Sequence, residues 1–188
     1  KMDFLGLRTL DVMYSTIDKV KRQRNIDIKF DEIPINDPHA YKLLQQGRTD
    51  GVFQLESPGM TNLMKKIFYD VHVDDSAEKG NEYFERLIAA VALYRPGPMD
   101  CIPQYLDSMK SGRISYDTPQ LESVLKNTYG VLVYQEQAMS TVRTLAGFSK
   151  GQSDIIRKAM SKKKTKLLAE YGEYFLHGSE PHDKKHPD

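Results

Sequence analysis

Tyr83-Phe84-Glu85-Arg86-Leu87-Ile88-Ala89-Ala90-Val91-Ala92-Leu93-Tyr94-Arg95-Pro96-Gly97-Pro98 is the stretch that decides the fold class. From Tyr83 to Tyr94 it is almost wholly apolar and reads as a helix bound for a core. Arg95-Pro96-Gly97-Pro98 then ends it, because two prolines around a glycine forbid continuation. A protein built around such a segment is expected to be mainly helical.

Upstream, Leu10, Met13, Ile17 and Val20 recur at helical spacing, and the basic stretch Lys21-Arg22-Gln23-Arg24 suits the negative end of that helix's dipole. Asp27 to Pro38 is a linker with room for a short strand. Asp37-Pro38 and Ser57-Pro58 each look like an N-cap followed by proline at the first helical position. The first predicts a helix over 38–46 that stops at Gly47. The second predicts one through Met60, Leu63, Met64 and Ile67. Residues 70–81 are polar and acidic and read as a surface loop.

Downstream, helices are expected over about 101–110, 121–126, 134–146, 151–160 and 162–175. Gly130-Val131-Leu132-Val133 is the best strand candidate. The opening residues read as the end of a strand running into the first helix. The expected fold is therefore mainly α, a multi-helix domain with minor short β-strand content. From His177 onward the composition predicts a disordered tail.

The chain has 188 residues, 28% charged and 39% hydrophobic, with a formal net charge of +1, so nucleic-acid binding would have to come from local patches. Its one cysteine, Cys101, excludes an internal disulfide and a cysteine-based zinc site and fits a reducing cytosol. No apolar run is long enough for a membrane helix, and the N-terminus is not a signal peptide. The chain starts without methionine and in mid-pattern, as an internal piece would.

Two groups of residues bear on chemistry. Asp3 lies between Met2 and Phe4, and in a strand would share a face with Leu5 and Leu7. An ionised carboxylate there is costly without a partner. Either it holds a metal, as carboxylates do in phosphoryl transfer, or it is a capping or surface acid. The second group is Arg157-Lys158-Ala159-Met160-Ser161-Lys162-Lys163-Lys164. Ile156, Ala159 and Met160 would face a core and leave Arg157 on the other side with Ser161 and Lys164. These cations either hold a triphosphate or a DNA backbone, or form a solvated run with Asp154 and Lys158 as an i,i+4 pair. Arg95 in the rigid turn either faces a ligand or merely follows the helix. Tyr134-Gln135-Glu136-Gln137 is either a polar network after a strand or a first helical turn.

Taken together, five strings resemble the C-family replicative DNA polymerases, the bacterial DNA polymerase III alpha subunits. They are Lys1 to Leu10, Gly51 to Ser57, Leu93 to Pro98, Thr128 to Gly130 with Val133 to Gln137, and Arg157 to Lys164, in the family's order. The resemblance implies a division into 1–10, the end of a palm strand; 11–176, a fingers domain with a surface insertion at about 69–81; and the tail 177–188. It implies that Asp3 is one of three palm aspartates that hold Mg²⁺, the other two lying outside this chain. Lys1 would lie near the nucleotide phosphates. Arg157 and Lys158 would contact the triphosphate, with lysine where the family usually has a second arginine, which loses the planar fork. Lys162, Lys163, Lys164 and Arg95 would be further phosphate or DNA contacts.

The partners implied are primer-template DNA and deoxynucleoside triphosphates, with the sliding clamp and other replisome subunits reached through other parts of the parent protein. The implied location is cytoplasmic, with no membrane association. The isolated chain is expected to be inactive. The rival readings are a non-catalytic nucleic-acid-binding helical module and a purely structural helical domain.

Overall fold

The computed structural model describes Met2 and residues 6–178. Nine α-helices and four short 3-10 turns account for the regular structure among them. The chain divides into two compact units, Lys1–Leu87 and Ile88–Asp188.

In the first unit, α1 runs Arg8–Arg24 and closes on Asn25, which takes the left-handed conformation at φ 53°. None of its residues is buried, so the Leu10–Met13 stripe is helical as expected but uncovered by the described residues. Helix α2, Pro38–Gln45, begins at Asp37, whose side chain accepts from the His39 N–H at 2.9 Å. Helix α3, Pro58–Ile67, begins at Ser57, which accepts from the Met60 N–H at 3.3 Å. Both starts match the sequence because a cap of this kind is a local device. The core gathers Tyr41, Leu44, Met60, Leu63, Met64, Ile67, Phe68 and Tyr83. Met64, Ile67 and Phe68 are wholly enclosed, each worth about 1.5–3 kcal/mol relative to exposure. Three rings, Tyr41, Phe68 and Tyr83, form a cluster with centroids 5.4–6.2 Å apart.

Helix α4 runs Ala77–Leu93 and thus starts well before Tyr83. The last part of the expected acidic loop is helical. Ser76 starts it, accepting from the Lys79 N–H through Oγ at 3.3 Å and from the Gly80 N–H through its carbonyl at 2.9 Å. Gly80 is there for space rather than for a turn: a Cβ on it would lie 1.9 Å from the carbonyl oxygen of Asn36.

In the second unit, a 3-10 turn at Pro98–Cys101 leads into α5, Ile102–Ser111. Short helical turns around α6, Glu122–Leu125, follow. Then come α7, Gln135–Ala146, α8, Lys150–Ser161, and α9, Thr165–His177. These last three pack on one another around Phe148, Ile156 and Tyr171, with Val142, Ile155, Leu167 and Leu168 against them.

The strand content expected from the sequence is absent among the described residues. At 130–133 the cause is visible. Tyr129 and Gly130 both have positive φ, 53° and 81°, and turn the chain. The Val131 N–H then donates to the Thr128 carbonyl at 3.0 Å, and the Val133 and Tyr134 N–H groups both donate to Gln137 Oε1 at 2.9 Å. With those donors satisfied locally, the extended segment has no ladder to join. In the 27–38 linker, Phe30–Glu32 forms a 3-10 turn instead. Of the strand expected at 1–10, Lys1 and residues 3–5 lie outside the described residues; Gly6 and Leu7 are irregular and α1 already begins at Arg8. His177 closes α9, and 179–188 of the expected tail lie outside the described residues.

Candidate nucleotide-phosphate site

Helix α8 carries the basic pair, and its start is well determined. Ser149 Oγ accepts from the Gln152 N–H at 3.2 Å, while Gln152 Oε1 accepts from the Ser149 N–H at 2.9 Å. This reciprocal cap fixes the helix frame. Gln152, Ser153, Ile156 and Ala159 form its buried stripe, facing the cluster shared with α7 and α9. Met160, expected in the core, is 49% exposed; it shares the angular range of that stripe but lies in the last turn of the helix, which ends at Ser161.

Arg157 and Lys158 occupy the outer part of the helix. Asp154 receives both. Its Oδ1 accepts from Arg157 Nε at 2.9 Å and from Nη2 at 2.7 Å, and Lys158 Nζ lies 2.5 Å from its Oδ2. The hydrogen bond from Lys158, then that from Arg157, holds the Asp154 carboxyl below the ordinary carboxylate range. The sequence anticipated the Asp154–Lys158 pair as an ordinary surface contact. It did not anticipate that one carboxylate serves both cations.

The three following lysines are displayed by the end of the helix. Lys163 takes the left-handed conformation at φ 50°, a position where glycine is favoured. Its N–H donates to the Met160 carbonyl at 3.1 Å, and the Lys164 N–H donates to that of Ala159 at 2.9 Å. This closing motif projects Lys162, Lys163 and Lys164 into solvent, and none of them forms an ion pair among the described residues. The structure therefore brings together two groups of cations within one helix and its exit turn. They can meet a polyanion with charge-assisted hydrogen bonds.

Arg95 is exposed in the turn after α4; its N–H donates to the Leu93 carbonyl at 2.8 Å, and its side chain forms no ion pair among the described residues. Lys1 and Asp3 lie outside the described residues. Among the described residues no group of three or more His, Cys, Asp or Glu could hold a metal ion, so they do not by themselves fit a Mg²⁺ site. No described helix is long and apolar enough to cross a membrane.

The Tyr134–Gln137 string resolves as the first turn of α7. Gln137 is buried there and is the hub of a polar network, donating through Nε2 to Thr128 Oγ1 at 2.7 Å and to the Val124 carbonyl at 3.3 Å. Its part is structural. Of the two readings the sequence left open, the first helical turn is the one observed, and the network's partners come from the preceding turns rather than from a strand.

Comparison with known proteins places these features in a family. The bacterial DNA polymerase III alpha subunit finger domain matches residues 9–183. The chain is similar to the DNA polymerase III subunit alpha of Staphylococcus aureus (strain COL), 42% identical over 180 residues that cover 95% of this chain and 16% of that protein. It is also similar to the subunit of the same name from Aquifex aeolicus (strain VF5), 44% identical over 183 residues that cover 95% of this chain and 15% of that protein. The chain thus spans about one-sixth of the length of these relatives. It belongs to the finger-domain family of bacterial DNA polymerase III alpha subunits.

Proposed function

We propose that this chain works as the fingers region of a DNA-directed DNA polymerase and binds the triphosphate of the incoming deoxynucleotide. The observation that carries the reading is the Arg157–Lys158 pair, gathered on one carboxylate in α8 within the region matched by the finger-domain family. Nucleotidyl transfer must neutralise a triphosphate whose charge grows toward the transition state, and fixed cations do this at no cost in reorganisation. Arg157 offers a planar fork and Lys158 a point charge. Lys162, Lys163, Lys164 and Arg95 are then contacts to further phosphates or to DNA.

The reading extends to residues outside those described. Lys1 lies near the nucleotide phosphates, and Asp3 supplies one carboxylate toward Mg²⁺, with two more from the parent protein outside this chain. When bound, that metal would activate the primer hydroxyl. Residues 1–10 then end the palm, 11–176 form the fingers, and about 69–81 are an insertion. The parent acts in the cytoplasm on primer-template DNA, with the sliding clamp and other replisome subunits. The isolated chain does not polymerise.

The test is single-nucleotide primer extension by the full-length parent carrying Arg157→Ala or Lys158→Ala. Each should weaken deoxynucleotide affinity by at least about tenfold, as expected for a lost charge-assisted contact, with primer-template affinity little changed. Equal loss of DNA affinity at unchanged nucleotide affinity would favour the nucleic-acid-gripping module instead.

A further inference from the structure

Consecutive residues on a helix point about 100° apart and do not face one another. Arg157 and Lys158 are consecutive, so the helix alone would send them to different places. Asp154 is three residues before one and four before the other, the two spacings that share a helix face. It draws both side chains toward the same side of α8, at 2.7 Å from Arg157 Nη2 and 2.5 Å from Lys158 Nζ. Its grip on arginine is one-sided. Oδ1 takes the Nε and Nη2 hydrogens, and Nη1 has no part in it. That leaves both Nη1 hydrogens and one on Nη2 as donors on a side chain that is 33% exposed, and two of the three ammonium hydrogens of Lys158.

From this geometry we infer that Asp154 is a positioning residue, which aims Arg157 and Lys158 jointly at one polyphosphate. The inference rests on the proposed function of that pair and deepens it. An exposed ion pair of this kind ordinarily does little for stability. Here its use is preorganisation: two long side chains are ordered before the ligand arrives, so binding loses less side-chain freedom. The opposing effect is repulsion between the Asp154 carboxylate and the incoming phosphates. Both its oxygens are occupied by cations, which screen it from the ligand. Preorganisation therefore wins.

The experiment uses the full-length parent enzyme and single-turnover incorporation at varied deoxynucleotide. Asp154→Ala should weaken nucleotide affinity by about tenfold at unchanged primer-template affinity, and Asp154→Asn, which keeps the shape and one acceptor, by about threefold. Asp154→Glu, whose carboxylate still reaches both cations, should recover to within about twofold. In an Arg157→Ala/Lys158→Ala background, Asp154→Ala should add nothing, since its effect passes through those side chains. Thermal unfolding of each variant identifies any folding loss, and the isosteric Asp154→Asn guards against it. Unchanged or tighter nucleotide binding by Asp154→Ala would overturn the inference, as would a penalty that persists in the double-alanine background. If Arg157→Ala and Lys158→Ala themselves leave nucleotide affinity intact, the phosphate site itself is wrong, and the positioning role falls with it.

Discussion

Arg86 holds Asp70 through two hydrogen bonds, Nη1 to Oδ1 at 2.6 Å and Nη2 to Oδ2 at 3.3 Å. The arginine is 5% exposed, and its guanidinium also lies 5.4 Å from the centre of the Tyr83 ring. Removing the carboxylate would leave a buried cation short of its counter-charge. Asp70→Asn is expected to lower unfolding stability by about 2–3 kcal/mol, below the full cost of orphaning a buried charge because Asp70 is partly exposed. Urea denaturation measures this, and an unchanged midpoint would show that the pair contributes nothing.

Gly80 is sealed against the linker by the carbonyl oxygen of Asn36. Gly80→Ala gains helix propensity of about 1 kcal/mol but forces backbone apart, and should be net destabilising by about 1–3 kcal/mol. Gly172 in α9 has nothing within 4 Å of an added Cβ. Gly172→Ala should therefore stabilise by about 0.4–1 kcal/mol. The two substitutions have opposite signs, and thermal melts of the pair decide whether the close approach is real.

Tyr41 donates its hydroxyl to the Ile35 carbonyl, and burial pushes its pKa up from 10.0 to about 12. The unfolded chain thus gives up this proton first. The stability tied to the neutral phenol is complete below about pH 10 and drains away as pH rises toward about 12. Tyr83 is displaced in the same direction by burial and by its bond to Asp75. Stability measured from pH 8 to 11.5 should fall at the alkaline end, and less steeply in Tyr41→Phe, with ultraviolet titration of the phenols as the direct readout. An identical slope in that variant would remove Tyr41 from the account.

Gln137 satisfies the Val133 and Tyr134 N–H groups and the Thr128 hydroxyl at once. Gln137→Ala leaves several polar groups unpaired and should cost about 2–4 kcal/mol. Chemical denaturation checks the size of the loss. Gln137→Glu keeps the acceptor but loses the donor, and should fall between the variant and the parent chain.

What could be read from the sequence was what is decided locally. Asp37-Pro38 and Ser57-Pro58 start their helices because a cap needs only its own next few residues. Pro96-Gly97-Pro98 stops α4 for a similarly local reason. The misses depend on which partner each group takes. Gly80 fell within an expected surface loop but lies in α4 against the Asn36 carbonyl, and Val131 to Val133 looked like a strand until Gln137 claimed backbone donors there. The basic run at 157–164 was legible as a run of charge. Its organisation was not, since Arg157 could have met any acid and in fact shares Asp154 with Lys158. For Asp3 the residues left a metal ligand and a capping or surface acid both open, and Lys1 rested on resemblance alone.

Helix α1 contains no buried residue, and that sets how long its hydrogen bonds survive. A 17-residue helix whose packing is limited to part-buried contacts, among them Tyr14 stacked on Phe30 at 5.5 Å, opens by fraying from its ends. Deuterium would then enter its amides on the timescale of helix–coil opening. The amides of α3, whose Met64 and Ile67 are wholly enclosed, would wait for their unit to unfold.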